Sequence, residues 1–535
     1  LHMAGGRIVN EFDPNRIAIS DFGFVHASTD GGATWQQCYT HRQSTHSAGA
    51  ATPTKQAYRG IGLENTSCWQ VFWIGNQRLF GAYSDIKGII STDGGKKWSF
   101  DYSGPLQNTT YRIARHNTNG MLFAATSSVH DLFQSHRLQD AVIDASTASG
   151  HVLCSSDSGA TWTSMLTTKP VVWVATDPSN SDRLYAAVVN YTNSLGGIYR
   201  TNNASAGAGA NWMRLTSPAR TEGHPATINV LNDGTVVCTY SGRRLATGGF
   251  TPSSGVFVFN PNNSQWSDVS DTSMYYWTKD LVVAPVGQLQ NTWYVCVYSG
   301  WGGAPNGKGG IYRTSNRGGS WTKICSLDRV SSITFDPDNS NTAYISTETE
   351  GLWVSNNISD QSPTFARVTD FPFMHPERVF FNPSDSKEMW VATFGNGMLM
   401  RKNISRTVYL DSAWNMFSMP IIPAESHFRQ MFAVVPSYKM VRTSAGETYG
   451  PTSDFLTKPA DGFIIHSNRR DTIAASGYEL ITESVKFDLQ PGWNLVPYLP
   501  SDSHHPAVAF ASIGAKLVAV KDDRGGNYVP ALGIN

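Results

Sequence analysis

Two aspartates occupy like positions in the chain. Ser20-Asp21-Phe22-Gly23 and Ser84-Asp85-Ile86-Lys87-Gly88 each turn between two short apolar runs. A carboxylate at a hairpin tip either bonds its own backbone, as Asp does in tight turns, or faces a ligand. If the two hairpins belong to neighbouring sheets packed face to face, their carboxylates lie roughly 10 Å apart. That approaches the roughly 6.5–9.5 Å at which one carboxyl protonates a leaving oxygen while another activates water. Asp21 and Asp85 are therefore the candidate catalytic residues.

The loops expected on the same face hold the other candidates. Thr40–Ser67 carries Tyr58 and Arg59, and Ser127–Gly150 carries His130 beside Asp131. Tyr240, Arg243 and Arg244 follow, then Trp277, Tyr298 and Trp301. Glu348, Glu350, His375 and Arg378 complete the set. Long loops gathered on one face usually have a function. Their aromatic rings suit the apolar faces of sugars, or else they cover the sheet ends. Substrate contacts are expected from Tyr298, Trp301, Trp277, Tyr240, Arg243, Arg244, Tyr58, Arg59 and His130. Arg243 and Arg244 would also neutralise a uronate carboxylate, so a lyase that abstracts the adjacent proton is an alternative.

These residues must be held by some repeated element. Ser28-Thr-Asp-Gly-Gly-Ala-Thr-Trp35 recurs as Ser91-Thr-Asp-Gly-Gly-Lys-Lys-Trp98 and as Ser155-Ser-Asp-Ser-Gly-Ala-Thr-Trp162. Weaker copies are Thr314-Ser-Asn-Arg-Gly-Gly-Ser-Trp321 and a lengthened one from Thr201 to Trp212. The Asp accepts backbone N–H groups inside a hairpin, the Gly supplies positive φ, and the Trp opens the next strand. Short strands flank every copy in the same order, four to a unit, which points to a propeller. Residues 1–402 are expected to form seven or eight blades, the first of them at Gly6–Tyr39. Trp35, Trp98, Trp162 and Trp321 should be largely buried beside their turns. Beyond residue 403 the pattern stops, and Trp414-Asn415 is echoed by Trp493-Asn494. Residues 408–535 read as a small β-sandwich-like accessory domain, dispensable for activity.

Composition removes several classes. Of 535 residues, 40% are hydrophobic and 15% charged, with 41 basic and 41 acidic side chains. That balance argues against nucleic acid or an anionic membrane as partner, and no apolar run is long enough to span a bilayer. The six cysteines form no CxxC pair, so neither a metal nor a cofactor is expected. Cys154, Cys238 and Cys296 read as buried thiols, whereas Cys38 and Cys68 flank one loop and could pair.

The repeat resembles the Asp-box, or BNR repeat, S/T-x-D-x-G-x-x-W. Asp21-Phe-Gly-Phe-Val-His-Ala-Ser-Thr-Asp-Gly-Gly resembles the start of the first propeller in xyloglucan-active enzymes of glycoside hydrolase family 74. There Asp-(Ile/Val)-Gly-Gly-x-Tyr-Arg carries a catalytic aspartate, a role the resemblance maps onto Asp21; Phe22 and Phe24 depart from it. Those enzymes place the partner acid in a second propeller, so Asp85 as partner rests on geometry alone. The Trp-Asn strands loosely resemble C-terminal modules of secreted bacterial proteins, often from Bacteroidetes relatives. The resemblance implies a secreted or cell-surface bacterial monomer that hydrolyses a plant or algal polysaccharide. The alternatives are a non-catalytic glycan-binding or assembly scaffold, as in sortilin-like receptors and photosystem assembly factors, and a sialidase-like enzyme suggested by Tyr111-Arg112-Ile113-Ala114.

Overall fold

A computed structural model describes residues 6–20, 24–47, 49–62, 66–134, 137–192, 194–247, 249–274, 276–299, 307–423, 427–431, 438–444, 446–480, 485–500, 504–522 and 524–533. The chain divides into two compact units, one reaching Met400 and one running from Arg401 onward, the latter also taking Lys387–Met389. Nearly all regular structure is antiparallel sheet. Among the described residues no helix is long and apolar enough to cross a membrane.

Seven sheets make the ring. Their inner strands are Cys68–Trp73, Thr109–Arg115, Val171–Asp177, Pro225–Val230, Trp277–Val283, Val330–Phe335 and Pro376–Asn382. Each packs on the next, and Pro376–Asn382 packs back on Cys68–Trp73. We number these blades I to VII. Within each sheet the strands follow one another in chain order, so each blade is a meander running outward from the channel. Closure of VII on I is apolar. The Trp390 ring stands 6.4 Å from Trp73 and 6.1 Å from Trp98. Gly95 makes room for it, since a Cβ there would lie 2.5 Å from the Trp390 ring.

The count is thus seven, and it excludes the segment expected to be the first blade. Gly6–Val9, Ile17–Ser20, Val25–Ser28 and Gln36–Gln37 form a four-stranded sheet of their own. Among the described residues these strands pack mainly on one another, without the close packing that joins neighbouring ring blades. Burial records the difference: Trp162 in blade II is 3% exposed, but Trp35 is 41% exposed because no neighbouring blade covers it. Trp98 and Trp321 are half-buried. The repeated turn is the same in both settings. Ser91 Oγ donates to Asp93 Oδ1 at 2.9 Å, and the Gly95 and Lys97 amides donate to Ser91 Oγ and Asp93 Oδ1. At Asp30 the hydroxyl and amide of Thr34 hold the carboxyl at about 2. All six cysteines are free thiols; Cys38 is partly exposed and Cys68 buried, so the possible pair is not formed.

In the second unit, two sheets share a core. Met398–Leu410 leaves blade VII and from Asn403 pairs with Asp471–Glu479, which also pairs with Ile421–Pro423. The other sheet orders Ala413–Ser418, Gly462–Ser467, Tyr438–Thr443 and Thr448–Tyr449. Leu410, Ile421, Phe428, Val441, Phe463 and Ile473 fill the space between. The echoed Trp-Asn pairs build one backbone clip twice. Asn415 accepts the Asp411 amide and donates to the Asp411 and Ala413 carbonyls. Asn494 does the same with Gln490 and Gly492.

Burial predicts unequal costs for two sequence-equivalent tryptophans. Trp162→Ala should lower stability by about 3–5 kcal/mol, the usual loss for a buried Trp. Trp35→Ala should cost clearly less. Chemical denaturation of both variants checks this, and equal losses would contradict the exclusion of Gly6–Gln37 from the ring.

Candidate functional site

The loop-bearing mouth of the ring is built by hairpins between second and third strands. In blade I this is Ser84–Lys87, where Asp85 and Lys87 have φ of 65° and 69°. Two non-glycine residues in the left-handed region lift the Asp85 carboxylate clear of the sheet. Its side chain is 56% exposed and 3.9 Å from His130 Nδ1. The same nitrogen lies 2.7 Å from Asp131 Oδ2, whose side chain is 13% exposed. The two carboxylates therefore flank one imidazole, within the roughly 9.5 Å that a glycosidase pair spans. Asn108 Nδ2 donates to Asp85 Oδ1 at 3.3 Å, and the Asp131 amide donates to Ser84 Oγ at 3.4 Å. Asp131 Oδ1 is buried and has no hydrogen-bond partner among the described residues.

Asp131 belongs to an insert of blade II, residues 128–149, that crosses the channel mouth. Phe133 packs against Trp69, Tyr111 and Trp173 from blades I, II and III. Gln134 Nε2 donates to Glu377 Oε1 of blade VII at 2.5 Å. Leu138 is fully buried against Tyr276, Trp277 and Tyr298 of blade V. Asp140 then receives two N–H groups of Arg243 from blade IV, the shorter at 2.6 Å. Arg243 also faces Glu222 at 3.8 Å and lies over the Tyr191 ring.

Below the insert the channel is narrow and charged. Lys279 Nζ stands 3.1 Å from Glu377 Oε2, both side chains being about 95% buried, and donates to Tyr298 Oη and Ser331 Oγ. Burial works to raise the Glu377 carboxyl, but Lys279 and His375 outweigh it and hold it below its ordinary value. Arg378 pairs with Asp280 at 2.8 Å.

These placements sort the residues expected from sequence. Asp85 and His130 meet at the mouth. Trp277 is 1% exposed and Tyr298 and Tyr240 are fully buried, so none presents an open face to a sugar ring in this arrangement. Arg243 is half-exposed and ion-paired, whereas Arg244 is buried. Tyr58 and Arg59 lie away from the mouth. Tyr58 pairs through its backbone with Trp98 at the outer edge of blade I, and its hydroxyl donates to the Pro53 carbonyl at 2.9 Å. Asp21 and Trp301 lie outside the described residues. The strand that leads to Asp21, Ile17–Ser20, belongs to the separate sheet. The expected adjacency of its hairpin to that of Asp85 in neighbouring ring blades is therefore corrected. Sequence reasoning underrated Asp131 and missed the Lys279–Glu377 pair. The signal for the latter was charge in the middle of apolar inner strands, as in Trp277-Thr-Lys-Asp-Leu. No cluster of His, Cys, Asp or Glu suited to a metal ion is found among the described residues.

Comparison with known proteins follows from this architecture. No family profile matches the chain. A xyloglucanase from Paenibacillus sp is 30% identical over 177 residues, which is 28% of this chain and 16% of that protein. The chain thus aligns with well under two thirds of that relative. The Niastella koreensis enzyme of glycoside hydrolase family 74 superposes with a TM-score of 0.43 at 15% identity, covering 74% of this chain and 58% of that one. An ancestral enzyme of the same family gives 0.49 at 16%, covering 71% and 54%. The extracellular domain of a B. thetaiotaomicron protein described as a hybrid two component system gives 0.47 at 12%, covering 88% and 64%. Each is a likeness of fold.

One buried group at this face makes a pH prediction. His224 Nδ1 contacts the Tyr191 and Ser241 hydroxyls, each at 2.5 Å, and burial drives its imidazole down to about 3. Between that value and the ordinary value of about 6.5 the unfolded chain binds a proton that the native chain refuses. Stability should therefore fall as pH drops below about 6.5. His224→Gln should flatten that part of the profile, read as melting temperature between neutral and mildly acidic pH. An unchanged slope in the variant would assign the effect to other groups.

Proposed function

We propose that the chain is an extracellular carbohydrate-active propeller that hydrolyses a neutral plant or algal polysaccharide at the channel mouth, with Asp85 and Asp131 as its carboxylate pair. The observation that carries this reading is the single imidazole nitrogen, His130 Nδ1, that faces both a half-exposed carboxylate and a largely buried one. Asp85, on the solvent side, is placed to activate water, and Asp131 to protonate the leaving oxygen. His130 bridges them and can carry the proton back between turnovers. Asp131 takes the place the sequence assigned to Asp21.

Two further facts support the reading. Asp85-Ile86-Lys87-Gly88 follows the Asp-(Ile/Val)-Gly-Gly order of glycoside hydrolase family 74 at three of four positions. At the departing position Lys87 adopts φ 69°, the conformation a glycine would supply. The 30% identity to a xyloglucanase over 177 residues points to the same substrate class. The balanced charge of the chain favours a neutral glycan over an acidic one.

A second reading is binding without cleavage. It is favoured by the burial of Trp277, Tyr298 and Tyr240 beneath the insert, which leaves the mouth short of stacking surfaces. A panel of polysaccharides, read by new reducing ends and by absorbance of unsaturated uronates, separates hydrolase, lyase and binder. For the best substrate, Asp85→Asn and Asp131→Asn should each lower turnover by roughly 10²–10⁴-fold while binding persists. Wild-type turnover in both variants would sink the assignment. Binding with no product from any glycan would establish the second reading.

A further inference from the structure

Arg112 and Arg378 enter the channel from blades II and VII and share one aromatic ring. Their guanidinium carbons lie 4.2 Å and 5.7 Å from the centre of Trp173. Arg378 has a carboxylate partner in Asp280. Arg112 forms no ion pair or side-chain hydrogen bond among the described residues; its charge is favoured by the Trp173 ring and, at longer range, by Asp280, which Arg378 already engages. Around this ring stand three cations, Arg112, Lys279 and Arg378, against two carboxylates, Asp280 and Glu377. The site is therefore one negative charge short of neutrality.

A desolvated cation without a counter-charge is costly, and a ring face that two guanidiniums share compensates it only in part. Burial and the like charge of Arg378 show the same tension, bringing the Arg112 guanidinium down to about 9. Beside these groups lies a cavity of about 30 Å³, lined also by the hydroxyl-bearing Thr227 and Ser331 and by Glu377, whose carboxylate Lys279 engages. That is room for a small ion. Phe133 of the insert forms part of its wall.

We propose that this cavity is a binding site for a small inorganic anion of halide size, held between Arg112 and Arg378 in the propeller channel. The anion supplies the missing counter-charge and so stabilises the ring beneath the insert. The site is independent of the Asp85–Asp131 pair and of any activity there.

Thermal unfolding of the full chain in sodium chloride and in sodium gluconate at equal ionic strength tests this. Melting should be higher in chloride by about 2 °C or more, with a saturable dependence on its concentration. Arg112→Gln should abolish the difference. Equal melting in the two salts, or an unchanged chloride effect in the variant, would overturn the proposal. If the variant does not fold, bromide in crystals of the wild-type protein decides. An anomalous peak in contact with Arg112 supports the site, and a peak-free channel at high bromide refutes it.

Discussion

Closure of the seven inner strands governs the rest of the propeller. A sheet that twists outward from a common axis leaves its innermost strand crowded on both sides, and the last blade must meet the first without a gap. Here the meeting is made by apolar rings. Trp390 of blade VII wedges between Trp73 and Trp98 of blade I, against a glycine that yields the space. Seven strands drawn this tight leave almost no lumen. Every side chain pointing inward is then stripped of water, and each charged one needs a partner at close range.

That constraint explains the insert of blade II. Glu377 is buried, and its partners come from three places: Lys279 across the channel, His375 just before its own strand, and Gln134 from the insert. The Gln134 bond and the Phe133 and Leu138 contacts pin the insert over the mouth at several blades at once. His130 and Asp131 precede Phe133 by three and two residues. A polar network deep in the channel thereby fixes the position of the pair opposite Asp85. Under the proposed hydrolase reading, rigid support of this kind is what the carboxylate pair requires, because small displacements are expensive in rate.

The repeat made the fold legible. Its hydrogen bonds follow from residue type alone, and the same Ser-Asp-Gly turn forms in the ring and in the separate sheet. What the repeat could not convey is which sheets are neighbours. Gly6–Tyr39 carries as good a copy as Trp69–Tyr102, yet only the latter has inner-strand partners, since partnership depends on side chains of other blades. The pairing of Asp21 with Asp85 assumed that adjacency in sequence meant adjacency in the ring. The aromatic candidates misled for a related reason. Trp277 and Tyr298 stand at strand ends, where exposure depends on whether a distant loop lies over them, and Leu138 does. In contrast, the exposure of Asp85 and His130 was legible because hairpin tips and long polar loops reach the surface whatever their neighbours. The Trp-Asn echo was also legible, although its meaning, a backbone clip closed by an Asn amide, needed coordinates.

Left-handed backbone recurs in the repeat and at the mouth. In the first two copies of the repeat, consecutive glycines occupy the left-handed positions, Gly31 and Gly32, then Gly94 and Gly95, at no steric cost, whereas the third and fourth copies place Ser158 and Arg317 there. The blade I hairpin instead places Asp85 and Lys87 there, and the insert places Asp131 there at φ 58°. Each such residue costs on the order of 1–3 kcal/mol and persists only where its surroundings over-determine it. At the mouth they do: the Asp131 amide reaches the Ser84 hydroxyl, which also receives the Trp69 indole N–H from the channel. The third and fourth copies of the repeat show that a turn that only reverses the chain also accepts such residues. What sets the mouth apart is that two of them, Asp85 and Asp131, bring their carboxylates to one imidazole nitrogen, braced through the channel wall.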